Sequence, residues 1–107
     1  MDSSASRPDP FVTALSVFRS RWDAPVLGAC LAGVRRFDDY QRTLGVSRKT
    51  LAERLKYLVS EGLLFRECYQ TRPQRYEYRV TDKGLELLPA FQLMAAWADR
   101  WGTGPVS

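Results

Sequence analysis

The stretch between Leu44 and Gly62 constrains this chain more than any other. Gly45-Val46-Ser47 makes a tight turn, and Ser47 is a natural helix N-cap, with Val46 and Leu51 at the positions of a hydrophobic staple. Beyond the cap, Leu51, Leu55, Leu58 and Val59 recur at helical spacing as one apolar stripe. Gly62 supplies the left-handed residue that ends such a helix, and Leu63 is placed to fold back on Leu58. Upstream, Phe37, Tyr40 and Leu44 share one side of a shorter helix that Asp38 is expected to cap. Two short helices joined by a turn containing glycine are the pattern of a helix-turn-helix.

The residues on either side of this pair narrow the topology. Residues 63–69 and 75–80 are strand-like, and in the second Tyr76, Tyr78 and Val80 alternate with Arg75, Glu77 and Arg79. The polar segment Gln70-Thr71-Arg72-Pro73-Gln74 between them is expected as a hairpin loop. Thr81 is expected to cap one last helix carrying Leu85, Leu88, Phe91, Leu93, Met94 and Trp97. Toward the N-terminus, Asp9-Pro10 starts a helix over about 10–19, and Asp23 is the expected cap of a second that Gly33 ends. The order predicts an α+β, mainly helical fold: a winged helix-turn-helix with a two-stranded β-hairpin wing and flanking dimerisation helices. A disordered tail over 1–8, one domain over 9–102 and a disordered tail over 103–107 complete the expected organisation.

Composition sets bounds on function. The 107 residues include no histidine, which removes the commonest general base and zinc ligand together. No phosphate-cradling glycine loop or paired carboxylates take its place, so an enzyme is not expected, and no metal or cofactor is either. No apolar run approaches the roughly 20 residues of a membrane span, and the polar first eight residues do not resemble a secretory signal. A cytoplasmic protein without membrane partners is expected. Cys30 and Cys68 form no CxxC pair, and both fall where small core residues fit, with a redox role as the alternative. The net charge is +4. Between Arg35 and Arg79 stand eleven basic and six acidic residues, an excess of five that leaves −1 for the two flanks together. A basic middle suits a polyanion-binding face, or equally the solvated surface of an ordinary basic protein.

Three stretches carry a family resemblance: Gly33-Val34-Arg35-Arg36-Phe37-Asp38; Ser47 with Leu51, Arg54, Leu55 and Leu58; and the run from Pro73 through Gly84. In these the chain resembles HxlR-type regulators of the wider MarR-like winged-helix group, almost without gaps from about Asp9 to Trp101. The resemblance implies a homodimeric repressor or activator of transcription, bacterial or archaeal, on a near-palindromic double-stranded DNA operator. Family members commonly begin with Cys-Pro, and in several that cysteine senses oxidants or electrophiles. Asp9 stands there in this chain, so thiol sensing at that position is excluded. Arg19-Ser20 replaces the family's Gly-Gly before a basic-Trp pair.

Within this frame the expected DNA-binding residues are Ser47, Arg48, Lys49, Thr50, Glu53 and Arg54 on the fourth helix, Arg72 and Arg75 on the wing, and Arg36 before the third helix. On the fourth helix Lys49, Thr50, Glu53, Lys56 and Tyr57 are expected to point away from the leucine stripe. Arg54, at the stripe's edge, either reaches a phosphate or pairs with an acidic neighbour inside the domain. Arg36 either touches phosphate or offsets Asp38 and Asp39. Phe11, Leu15, Phe18, Phe91, Met94, Trp97 and Trp101 are more aromatic and aliphatic surface than so small a domain can hide, and are expected at a dimer interface. A small-molecule effector pocket at that interface is a further alternative. So is a different class altogether, a winged-helix protein–protein interaction module without DNA binding.

Overall fold

A computed structural model describes residues 9–102; the two expected tails, 1–8 and 103–107, lie outside the described residues. The elements are α1 (Pro10–Leu15), α2 (Asp23–Leu31), α3 (Phe37–Leu44), α4 (Arg48–Ser60), β1 (Leu64–Thr71), β2 (Gln74–Val80), α5 (Asp82–Leu85) and α6 (Leu88–Trp101). This is the winged helix-turn-helix order, mainly helical with one antiparallel hairpin. The core is where α2, α3 and α4 meet: Val26, Leu27, Cys30, Tyr40, Leu51, Leu55 and Leu58 are buried there, with Leu63 and Leu64 closing it below.

Local signals account for most element ends. Asp9 caps α1, its carboxylate accepting from the Phe11 amide, with Pro10 at the first helical position. Gly45 takes the left-handed conformation (φ 68°) that turns the chain out of α3, and its amide donates to Gln41. Ser47 caps α4 and Thr81 caps α5, each accepting from the amide three residues on. At the end of α4, Gly62 is left-handed and the Leu63 amide donates back to the Leu58 carbonyl. A Cβ on Gly84 would run into the Leu63 carbonyl, so glycine lets α5 sit against the root of the hairpin.

Several expected features differ. The first helix stops at Leu15 instead of 19, because the Asp23 carboxylate captures the amides of Arg19 and Ser20 that a longer helix would have bonded internally. Asp23 therefore does not cap α2: it is the first residue of that helix, fully buried, and Trp22 precedes it without a side-chain cap. Nor does Asp38 cap α3, which begins at Phe37 after an extended Arg36. Arg36 is held by a bridge to Glu77, and the Tyr78 amide donates to Arg35, so the segment before α3 adds a short third edge to the wing. The strands run further than expected and leave only Arg72-Pro73 as the loop. The expected single last helix is broken in two at Glu86-Leu87, since Pro89 opens α6 and proline disfavours helical backbone just before it. Past Leu64 the hairpin outruns the core, so β1 is exposed on both faces; Cys68 is exposed as well, not the small core residue expected.

Candidate nucleic-acid interface

The start of α4, the root of α3 and the wing surround one cleft of about 610 Å³, lined among others by Arg36, Phe37, Arg48, Tyr69, Arg75 and Tyr76. The turn before α4 is held firmly: Gln41 donates to the Val46 carbonyl at 3.3 Å, Val46 is buried, and Ser47 takes the Thr50 amide at 3.1 Å. That leaves the other first-turn amides of α4 and the positive end of its dipole facing outward. Arg48 and Lys49 stand at this end. Arg48 stacks over Phe37 at 4.8 Å and reaches Asp38 at 3.7 Å and Gln41 at 3.4 Å. Lys49 is exposed and forms no ion pair among the described residues. Thr50 is half-buried beside the stripe, and Glu53 and Lys56 are exposed.

The wing is a twisted two-stranded ribbon whose register slips between Cys68 and Gln70, leaving Tyr69 as the extra residue. Tyr69 receives the Arg36 guanidinium at 4.4 Å, and Arg36 also reaches the largely buried Glu77 at 3.7 Å. Arg66 stacks over Tyr76 at 4.0 Å. Arg72 and Arg75 are exposed at the tip, without ion pairs among the described residues. The cleft wall also carries Arg42, paired to Asp39. Its four arginines outnumber Asp38 and Asp39, so the wall is net cationic.

Two residues of the fourth helix turn inward, Tyr57 against expectation. Arg54 binds the buried Asp23 carboxylate at 3.1 Å to one oxygen and 3.2 Å to the other, which resolves its two alternatives in favour of the internal pair. Tyr57 faces the domain: its hydroxyl donates to the Val17 carbonyl, and Arg54 and Arg19 flank its ring. The leucine stripe by itself points to neither Asp23 nor Tyr57; the signal available was Arg54 and Tyr57 sharing a face at i,i+3.

The terminal helices present the opposite character. Phe11, Leu15, Met94, Trp97 and Trp101 are 50–68% exposed, and neither α1 nor α6 has a buried residue. Phe18 and Phe91 differ from the other five expected interface residues, since they are half-buried against the protomer's own core and meet edge to face at 6.2 Å. Burial pushes the Cys30 thiol up from its ordinary value, against smaller opposing effects of Tyr40 and Arg35, as a small core residue should behave. Among the described residues no group of His, Cys, Asp or Glu could hold a metal ion, and no helix is long and apolar enough to cross a membrane.

The model of the HxlR-like helix-turn-helix family matches residues 17–104. An HTH-type transcriptional regulator of Mycobacterium tuberculosis is 40% identical over 88 residues, covering 82% of this chain and 56% of the relative. The chain thus spans little more than half the length of that mycobacterial protein. The HTH-type transcriptional regulator YodB of Bacillus subtilis is 34% identical over 90 residues, 83% of this chain and 80% of its own. The solved reduced form of YodB superposes with a TM-score of 0.72 at 32% identity, over 94% of this chain and 99% of that one. YodB has also been solved with a quinone bound.

Proposed function

This chain belongs to the HxlR-like helix-turn-helix family, and on that premise we propose that it controls transcription as a homodimer on a near-palindromic DNA operator. The observation that carries the reading is the pairing of two faces on one small domain. One side offers the capped start of α4 and a cationic wing; the other offers two helices on which Phe11, Leu15, Met94, Trp97 and Trp101 stay exposed among the described residues. In the proposed complex Ser47, Arg48, Lys49 and Thr50 enter the major groove, with Glu53 one turn further along. Arg72 and Arg75 follow the adjacent backbone or minor groove, and Arg36 sits over phosphate between them. Arg54 is left out because its charge is already engaged by Asp23. Phe11, Leu15, Met94, Trp97 and Trp101 form the dimer contact, with Phe18 and Phe91 beneath it.

A gel shift against the DNA upstream of the protein's own and neighbouring genes tests the reading. Two protomers, each neutralising a few phosphates, should give a log–log salt slope of several units, about −0.9 for each phosphate. No shift, or a shift indifferent to salt, would favour the protein-binding module instead. We place a small-molecule effector at the same dimer interface, where the exposed Trp97 and Phe11 rings offer stacking surfaces. The YodB relative has been solved with a quinone bound, which makes a quinone the ligand to try. Release of the duplex on adding a quinone to a Cys68→Ser variant would bear it out, and an unchanged shift would remove it.

A further inference from the structure

Seven residues, 16–22, join α1 to α2, and they are gripped from three directions. From α2, the Asp23 carboxylate accepts the Arg19 amide at 2.8 Å and the Ser20 amide at 2.9 Å. From α4, Arg54 closes on the same carboxylate at 3.1 Å, and the Tyr57 hydroxyl donates to the Val17 carbonyl at 2.5 Å. From α6, the Phe91 ring meets Phe18. Asp23 is the only charged residue buried among those described. A buried carboxylate is costly unless it is paired and hydrogen-bonded, and a network that meets both demands favours one geometry. The grip matters because of what lies at its ends. The linker runs directly out of α1 and rests on α6, the two helices whose apolar side chains are mostly exposed among the described residues, while Arg54 and Tyr57 belong to the helix whose first turn carries Arg48 and Lys49.

We infer that the Asp23–Arg54 pair and the Tyr57 bond to Val17 together position α4 relative to the dimer helices and so set the distance between the two recognition helices of a dimer. The inference rests on the homodimeric DNA-binding reading. In such a dimer, half-site spacing is set by where each recognition helix sits relative to the two-fold axis. Two inserted base pairs move one half-site about 7 Å along the duplex and roughly 70° around it. A rigid dimer cannot follow that displacement, whereas one whose α4 can shift against the linker follows part of it.

The test uses the full chain and duplexes selected by it from a random-sequence pool, with the spacing between half-sites then varied by one and two base pairs. The native protein should lose binding by about tenfold or more at two inserted base pairs. Tyr57→Phe removes only the hydroxyl bond to the linker, and Arg54→Lys keeps the charge while losing the shared guanidinium contact. Both should remain folded by circular dichroism at the assay temperature. They should keep the base preference within each half-site, yet lose only about threefold or less for the same insertion. Folded variants that retain the native spacing penalty would overturn the inference while leaving DNA binding intact. If the native protein selects no duplex, or a single half-site suffices for full affinity, the dimeric reading itself fails and takes this inference with it.

Discussion

Arg54→Ala separates an internal role from a DNA contact most cleanly. The guanidinium is 20% exposed and Asp23 is 0% exposed, so truncation strands a carboxylate where water does not reach. Breaking a buried ion pair by removing one partner typically costs about 3–5 kcal/mol. Here the Arg19 and Ser20 amides still donate to one carboxylate oxygen, so the cost falls at or just below that range, about 2–3 kcal/mol. For a domain of this size each kcal/mol is worth roughly 4–8 °C, so the variant should melt about 10–20 °C below the parent. Thermal and urea unfolding followed by circular dichroism at one fixed protein concentration measure this, since dimerisation would otherwise shift both midpoints. The urea midpoint should fall with the slope unchanged. If the variant melts within about 1 °C of the parent and loses DNA affinity instead, Arg54 reaches phosphate and the pair with Asp23 is not structural.

Three further expectations are independent of that one. Lys49→Ala should cost about 1–3 kcal/mol on the selected duplex and flatten its base preference, whereas Arg72→Ala should weaken all duplexes alike and reduce the salt slope by about 0.9 per lost phosphate. Titrations on selected and random duplex at two salt concentrations distinguish them; a base-specific loss from Arg72→Ala would reverse the assignment. Trp97→Ala should weaken the dimer by about 2 kcal/mol, roughly thirtyfold, with the protomer fold intact because that ring is exposed in the single chain. Sedimentation across micromolar concentrations reads this, and a monomeric native protein would refute the interface. Of the two cysteines, the exposed Cys68 should react with a thiol reagent in the native protein and the buried Cys30 only after unfolding. Because burial raises the Cys30 value in the folded state, the stability it lends is present below the ordinary value of 9.0 and is lost as pH climbs past it. A native protein with two fast-reacting thiols would contradict the burial.

Much of the wing and its flanking helices was legible from residues a few positions apart. The Ser47 and Thr81 caps, the Gly45 and Gly62 exits, the leucine stripe of α4 and the Tyr76-Tyr78-Val80 alternation all depend on contacts within about one helical turn or on the two-residue period of a strand. Such contacts are written into the order of the residues, and the order alone determined them. The candidate site divided along the same line. The cations at the start of α4 and on the wing tip were readable because each projects from an element whose face the sequence defines. Arg54 and Tyr57 were not, because their partners, Asp23 and the Val17 carbonyl, lie 31 and 40 residues away. Cys68 occupied a strand position that suits an apolar residue, but a ribbon that extends beyond its core has no buried face to offer. The inserted edge at Arg36 likewise exists only because Glu77 comes to meet it. Sequence by itself determined which segments are helix, turn and wing; only the packed structure decided which polar groups face inward, because the cost of burying a charge is set by the partners that folding brings to it.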